Sequence, residues 1–282
     1  MATFEFGNDR LRCVVDTLGA ELISVRFDGK ERLWQNENGG WDGHAPILFP
    51  YGGNCAVMVD GELYPTQKHG FLMGQTGAFT DKKEDGVTVC FRENEETKQV
   101  YPFAFSVFIT YLVVGNCLKV TYTAVNEDDK TIYAGFGSHE SYALDGSAQD
   151  YEIVFEKDEA FISGMAHHED GKMLVESVDL GKGKNLVLPE DLLSATVILK
   201  PNSRTVALKK RGEDKIMAKV HYPDFENLLF WHPADSRMVC IEPWQNLPDD
   251  HDVPVKELSK KEGLTALKPG EKLVVRHDIE YF

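Results

Sequence analysis

A period-two alternation of apolar and polar residues most limits the folds open to this chain. Val87, Val89 and Phe91 alternate with polar neighbours. Leu118, Val120, Tyr122 and Ala124 do the same, with Lys119, Thr121 and Thr123 between them. Tyr151, Ile153 and Phe155 repeat the pattern, as do Leu273, Val275, His277, Ile279 and Tyr281. Successive side chains of a strand point to opposite faces, so each segment predicts a strand with one buried face. Asp-Gly occurs at Asp28, Asp42, Asp60, Asp85, Asp145 and Asp170. That dipeptide supplies the positive φ angles of tight hairpins, and the clearest case is Asp60-Gly61, between 56–59 and 62–64. Helical signal is thin. Residues 186–193 and 255–262 can each hold one short turn, too short to bury a face alone. No Ser/Gly/Pro-rich linker divides the chain. The expectation is one domain over residues 1–282, all-β, a large antiparallel sandwich rather than a βαβ sheet.

Charge and composition remove several function classes. The chain has 282 residues, with 30 Lys and Arg against 46 Asp and Glu, a formal charge of −16. A field of that sign repels phosphate backbones and anionic membranes, so neither nucleic acid nor membrane is expected as a partner. The start, MATFEFGNDR, lacks a basic segment followed by an apolar run, so no secretory signal is expected. The most apolar stretch, 103–114, is interrupted by Ser106, Thr110 and Tyr111, short of the roughly 18 residues a membrane span needs. The cysteines (Cys13, Cys55, Cys90, Cys117, Cys240) are scattered and odd in number, with no CxxC pair. Free thiols in a reducing cytoplasm are the simplest reading.

Nucleotide-binding and nucleophile signatures are absent. Gly137-Ser138-His139 lacks the second glycine of a nucleophile elbow, and there is no Walker loop or Rossmann fingerprint. His167-His168 with Glu169 and Asp170 suggests a metal cluster at first sight. Adjacent histidines on an extended chain point to opposite sides, however, and a solvated loop ending at Gly171 is the better reading. No metal ligand set and no cofactor are expected.

Three segments place ionisable residues among glycines and aromatics: 65–71 (PTQKHGF), 133–142 (YAGFGSHESY), and 230–232 with 238–244 (FWH and MVCIEPW). Glu242 follows a run of apolar residues and precedes Pro243-Trp244. Burial beside an indole raises a carboxylate pKa toward the range useful to a base. A buried Glu satisfied by backbone amides fits the pattern equally well. His139 and His69 can hold or give a proton near neutral pH, although a lone histidine is more often structural. Trp231, Trp244, Phe71 and Phe136 are candidates for a platform under a sugar ring, with ordinary core packing the alternative for each.

Taken together, these segments resemble the aldose 1-epimerase (galactose mutarotase-like) family, and most closely its bacterial LacX-like branch. The correspondence begins with Gly19-Ala20-Glu21-Leu22 and a Trp-bearing strand at Leu33-Trp34-Gln35. It continues through the turn at Leu48-Phe49-Pro50 and then His69-Gly70-Phe71. Gly137-Ser138-His139 with Tyr142, and Cys240-Ile241-Glu242-Pro243-Trp244, complete it. The resemblance implies a β-supersandwich of many antiparallel strands and the interconversion of sugar anomers. It implies Glu242 as the base at the anomeric hydroxyl and His139 as the acid at the ring oxygen. His69 would hold a hydroxyl or the ring oxygen, with a small-molecule sugar the partner and no cofactor required. Monomer and homodimer both remain open.

Three departures from the family pattern stand out. Gly53-Asn54-Cys55 replaces a stretch with an arginine, Leu72-Met73 replaces Ala-Arg, and His139-Glu140 replaces His-Pro. Each lost charged hydrogen bond to a substrate is worth about 1.5–3 kcal/mol. Lys68 or Asn54 is the expected compensation, with Trp231 also at the substrate. Glu140 is expected to raise the pKa of His139. Two alternatives follow: a non-catalytic carbohydrate-binding or sensing protein on the same fold, and a sugar-6-phosphate mutarotase, which would need a cationic clamp.

Overall fold

The alternating segments form strands with the expected faces inward. In Cys117–Asn126, Leu118, Val120, Tyr122 and Ala124 are buried while their neighbours are partly exposed. Val87, Val89 and Phe91 are buried in Gly86–Arg92. In Lys272–Tyr281, Val275, His277, Ile279 and Tyr281 are buried, and Leu273 packs half-buried at the end. The computed structural model describes the chain apart from residues 37–40, 54–55, 167–171, 191–195, 234–235 and 251–252.

Every strand-to-strand ladder among the described residues is antiparallel, as a meander with few helices requires. A 15-stranded sheet carries most of the chain. Near its centre Lys272–Tyr281 pairs with Cys117–Asn126, which pairs with Phe105–Val114. Toward one end Met238–Trp244 pairs with Asn227–Trp231 on one side. On its other side it pairs with Gly137–Ser138 and Glu140–Ala143. A separate four-stranded sheet, from Thr3–Gly7 to Lys30–Glu31, packs against the large one. Tyr111 stitches the two: its hydroxyl donates to the Ala20 carbonyl (2.7 Å) and its ring lies 6.1 Å from Phe6. One contiguous apolar core runs from Phe6 to Tyr281.

Asp60-Gly61 closes the hairpin between Ala56–Val59 and Glu62–Pro65, with φ angles of 52° and 82°. Asp28-Gly29 does the same for Leu22–Phe27 and Lys30–Glu31, at 49° and 78°. Two successive positive φ angles match the right-handed twist of the flanking strands. Asp85 precedes the first residue of a strand, whereas Asp42 and Asp145 close no hairpin, and Asp170 lies outside the described residues. The turn expected in 255–262 is the 3-10 turn Leu258–Lys260. In 186–193, Leu186 ends a strand and residues 191–193 lie outside the described set. A short helix the alternation did not foreshadow, Glu95–Lys98, is held by a capping box between Asn94 and Thr97. No helix among the described residues is long and apolar enough to cross a membrane.

Candidate functional site

Strand register brings the two expected proton carriers face to face. Gly137 pairs with Trp244 and Glu140 pairs with Ile241. The same register sets His139 opposite Glu242, on the one face to which directly opposed residues point. Pro243 has no N–H to give, so the ladder is interrupted there. His139 Nε2 lies 3.4 Å from Glu242 Oε2. The opposite parity sends Ser138 and Glu140 into the core.

Alternation builds the rest of the face. Trp244 follows Glu242 by two positions and shares its side. Leu229 pairs with Glu242, and Trp231 with Cys240, from the neighbouring strand. The result is a cleft of about 390 Å³. Trp41, Gln67, Lys68, His69, Met73, His139, Thr196, Leu229, Trp231, Glu242, Trp244 and Pro248 are among its walls. Sugar rings pair apolar C–H faces with hydroxyl rims, and this mixture of indoles and a few polar groups suits both.

His69 enters from the turn after Glu62–Pro65. It has φ 73° and the following Gly70 has φ 86°. A Cβ on Gly70 would lie 2.0 Å from the Phe49 carbonyl oxygen, so only glycine fits. The His69 N–H donates to the Gly53 carbonyl (2.6 Å), and the Gly53 N–H donates to His69 Nδ1 (3.1 Å). With Nδ1 accepting, the neutral ring carries its proton on Nε2. Burial, with His139 and Lys68 nearby, holds His69 well below the usual imidazole range. It is therefore a neutral hydrogen-bond donor.

Burial acts oppositely on the facing pair. It pushes the Glu242 carboxyl well above its ordinary value; the Lys68 ammonium opposes this and Glu140 adds to it. It pushes the His139 imidazole down to about 4. Glu140 does act to raise His139, as expected, but the loss of hydration outweighs it and leaves the imidazole below its usual range. Glu140 accepts a hydrogen bond from the Ser138 hydroxyl and lies 3.0 Å from His277 Nε2, with both residues buried. Burial alone would raise Glu140; His277 and Ser138 more than offset it and hold the carboxyl below its usual range. The Trp244 indole N–H donates to the Ser138 carbonyl (3.2 Å). Glu242 Oε1 and Trp231 Nε1 have no hydrogen-bond partner among the described residues.

Glu242, His139, His69, Lys68 and Trp231 thus share one cleft. Asn54 lies outside the described residues, as do His167 and His168. Of the four platform candidates, Trp231 and Trp244 line the cleft. Phe71 and Phe136 pack instead around Phe49 in the core, with ring centroids 5.7 and 5.0 Å away. Sequence reading missed Trp41, whose ring stacks on His139 at 4.9 Å and meets Trp231 edge-on at 5.6 Å. Its one signal is an indole in a glycine-rich stretch, away from any alternating strand. Met73, which stands where the resemblance would have an arginine, lines the cleft.

An antiparallel β fold holding a carboxyl and an imidazole in one aromatic cleft places the chain among the galactose mutarotase-like β-sandwich proteins. The chain belongs to the aldose 1-epimerase family, whose profile matches residues 2–280. Among its relatives, the chromosomally encoded LacX protein of Lactococcus lactis subsp. lactis is 29% identical over 266 residues, covering 87% of this chain and 88% of that protein. A galactose mutarotase-like protein from Lactobacillus casei superposes with a TM-score of 0.91 at 26% identity, covering 100% of both chains. A galactose mutarotase related enzyme from Lactobacillus acidophilus gives 0.89 at 24% identity, covering 100% of this chain and 97% of that one.

Proposed function

We propose that the protein is an aldose 1-epimerase that interconverts the α and β anomers of a free hexose. The observation that carries this reading is the 3.4 Å contact between His139 Nε2 and Glu242 Oε2 on the wall of the cleft. Anomerisation needs one group to remove the proton of the anomeric hydroxyl and another to protonate the ring oxygen. Burial favours the uncharged pair, with the proton on Glu242 and a lone pair on His139. Transfer across the contact yields the carboxylate and imidazolium, and the Lys68 ammonium stabilises that carboxylate. Glu242 then takes the hydroxyl proton while His139 gives its proton to the ring oxygen. The C1–O5 bond breaks, the aldehyde carbon rotates, and closure on the other face reverses both transfers. The His69 Nε2–H donates to a sugar oxygen, and Trp231 and Trp244 face the ring.

Polarimetry on freshly dissolved α-galactose and α-glucose tests this, with wild type beside Glu242→Gln. Acceleration by wild type, with a loss of about 10²–10⁴-fold in the variant, supports the proposal. An equal rate in both overturns it. Sugar binding by calorimetry without acceleration would favour the carbohydrate-binding alternative. Lys68 favours one further reading, because it is the one cation among the described cleft residues. Acceleration confined to glucose 6-phosphate or galactose 6-phosphate would assign the protein to phosphorylated sugars.

A further inference from the structure

Cys240 is the ionisable residue of this face that proton transfer does not use. It precedes Glu242 by two positions on one strand, so both side chains leave the same side. Cys240 pairs with Ser141, two positions beyond His139, which carries the same parity on the facing strand. The Cys240 sulfur, a His139 ring nitrogen and a Glu242 carboxylate oxygen all lie within 4.8 Å of one another. Cys240 is 0% exposed, Glu242 1%, and the His139 side chain 11%.

We propose that His139, Cys240 and Glu242 form a binding site for a divalent cation of the zinc class, filled in competition with the sugar. Zinc lies about 2.3 Å from a thiolate and about 2.0–2.2 Å from nitrogen or oxygen, so tetrahedral edges span roughly 3.3–3.7 Å. The edge between His139 Nε2 and Glu242 Oε2 is already 3.4 Å. The sulfur edges, no longer than 4.8 Å, need to close by at most about 1 Å to reach those distances. Glu242 Oε1, buried and without a partner among the described residues, adds unmet acceptor capacity at the same point. A thiolate, a carboxylate and a neutral imidazole cancel the two charges of the ion, so the filled site is neutral and suited to burial. Sulfur and imidazole ligands select zinc, cobalt or cadmium over magnesium and calcium. Three protein ligands leave the fourth position open toward the cleft.

On binding, the Cys240 S–H bond breaks, a metal–sulfur bond forms, and the thiol proton passes to solvent. A proton resident on Glu242 leaves the same way, and the metal keeps its oxidation state. With His139 and Glu242 both ligated, neither can carry a proton for a sugar, and zinc acts as an inhibitor of anomerisation.

Cobalt(II) is the probe, because its spectrum reports the ligands without any sugar. The background is the chain with Cys55, Cys90 and Cys117 changed to serine, which removes the thiols outside the site apart from Cys13, buried in the separate four-stranded sheet. One equivalent of cobalt is expected to give thiolate charge-transfer absorption and tetrahedral d–d bands, both abolished by one equivalent of zinc. Cys240→Ser on that background should lose the charge-transfer band and weaken zinc binding by at least about 100-fold. If Cys240→Ser fails to fold by circular dichroism, His139→Gln takes its place and should weaken zinc binding comparably. A background chain without the bands, or zinc affinity unchanged in the folded variant, overturns the site. The readout is independent of mutarotation, so its failure and that of the proposed activity are told apart. If the activity stands, zinc should slow wild type relative to its own metal-free rate and leave Cys240→Ser at its own.

Discussion

His139 and Glu242 stand opposite each other across a strand pair whose ladder is interrupted at Pro243. One peptide plane away, Glu140 turns to the other side and meets His277 at 3.0 Å. A single short segment therefore feeds the cleft with one side chain and the core with the next. The consequences for pH, stability and rate differ for the two faces.

The pH profile of anomerisation should reflect the pair rather than either residue alone. The pair works while it holds one proton. On the acid side it fails when His139 also takes a proton, near about 4. On the alkaline side it fails when the raised Glu242 carboxyl loses its proton. The expected plot of kcat/KM has no acid limb near the ordinary imidazole value of about 6.5. A single acid limb centred there would contradict this ordering.

Glu242→Gln should raise stability while it lowers rate. The Glu242 carboxyl is raised in the folded protein. Its contribution is therefore fully present below the unfolded carboxylate pKa and is lost as pH rises toward the folded value. Glutamine cannot ionise and escapes that loss. Melting at pH 7 should be higher in the variant than in wild type, with the difference vanishing near pH 4. A lower Tm at pH 7 would sink the argument.

His277→Ala should destabilise by about 3–5 kcal/mol, because it strands the Glu140 carboxylate in the core. It also removes the partner of the Tyr122 hydroxyl, 3.1 Å from His277 Nδ1. Glu140→Gln combined with His277→Ala should recover part of the loss, since the uncompensated charge is gone. Urea denaturation of the single and double variants measures this coupling. Independent, additive effects would deny the pair its role.

Gly70→Ala should be far more damaging than Gly61→Ala. Both positions have positive φ, at 86° and 82°. A Cβ at Gly61 meets nothing within 4 Å, whereas at Gly70 it meets the Phe49 carbonyl oxygen at 2.0 Å. Gly61→Ala should cost about 1–3 kcal/mol of backbone strain. Gly70→Ala adds a clash that displaces His69, so KM for sugar should rise in whatever protein folds. Equal melting points in the two variants would contradict the close approach.

Much of this was legible in the chain. Period-two alternation specified the strands of Gly86–Arg92 and Cys117–Asn126 and their buried faces, because burial of one face imposes that period. Asp60-Gly61 and Asp28-Gly29 marked their hairpins through local backbone preference. The apolar setting before Pro243-Trp244 pointed to a buried Glu242, and motif resemblance singled out His69 and His139. What only the tertiary structure decided is which strands became neighbours. Residues 139 and 242 are brought opposite by long-range register, which no local pattern encodes. The same holds for Trp41 over His139, and for Glu140, which meets His277 from a strand well over a hundred residues away. Burial, the cause of every large pKa displacement in the cleft, is likewise a property of the assembled sheets. The alternation selects the face each side chain takes; the packing of distant strands decides what that face meets and how little water reaches it.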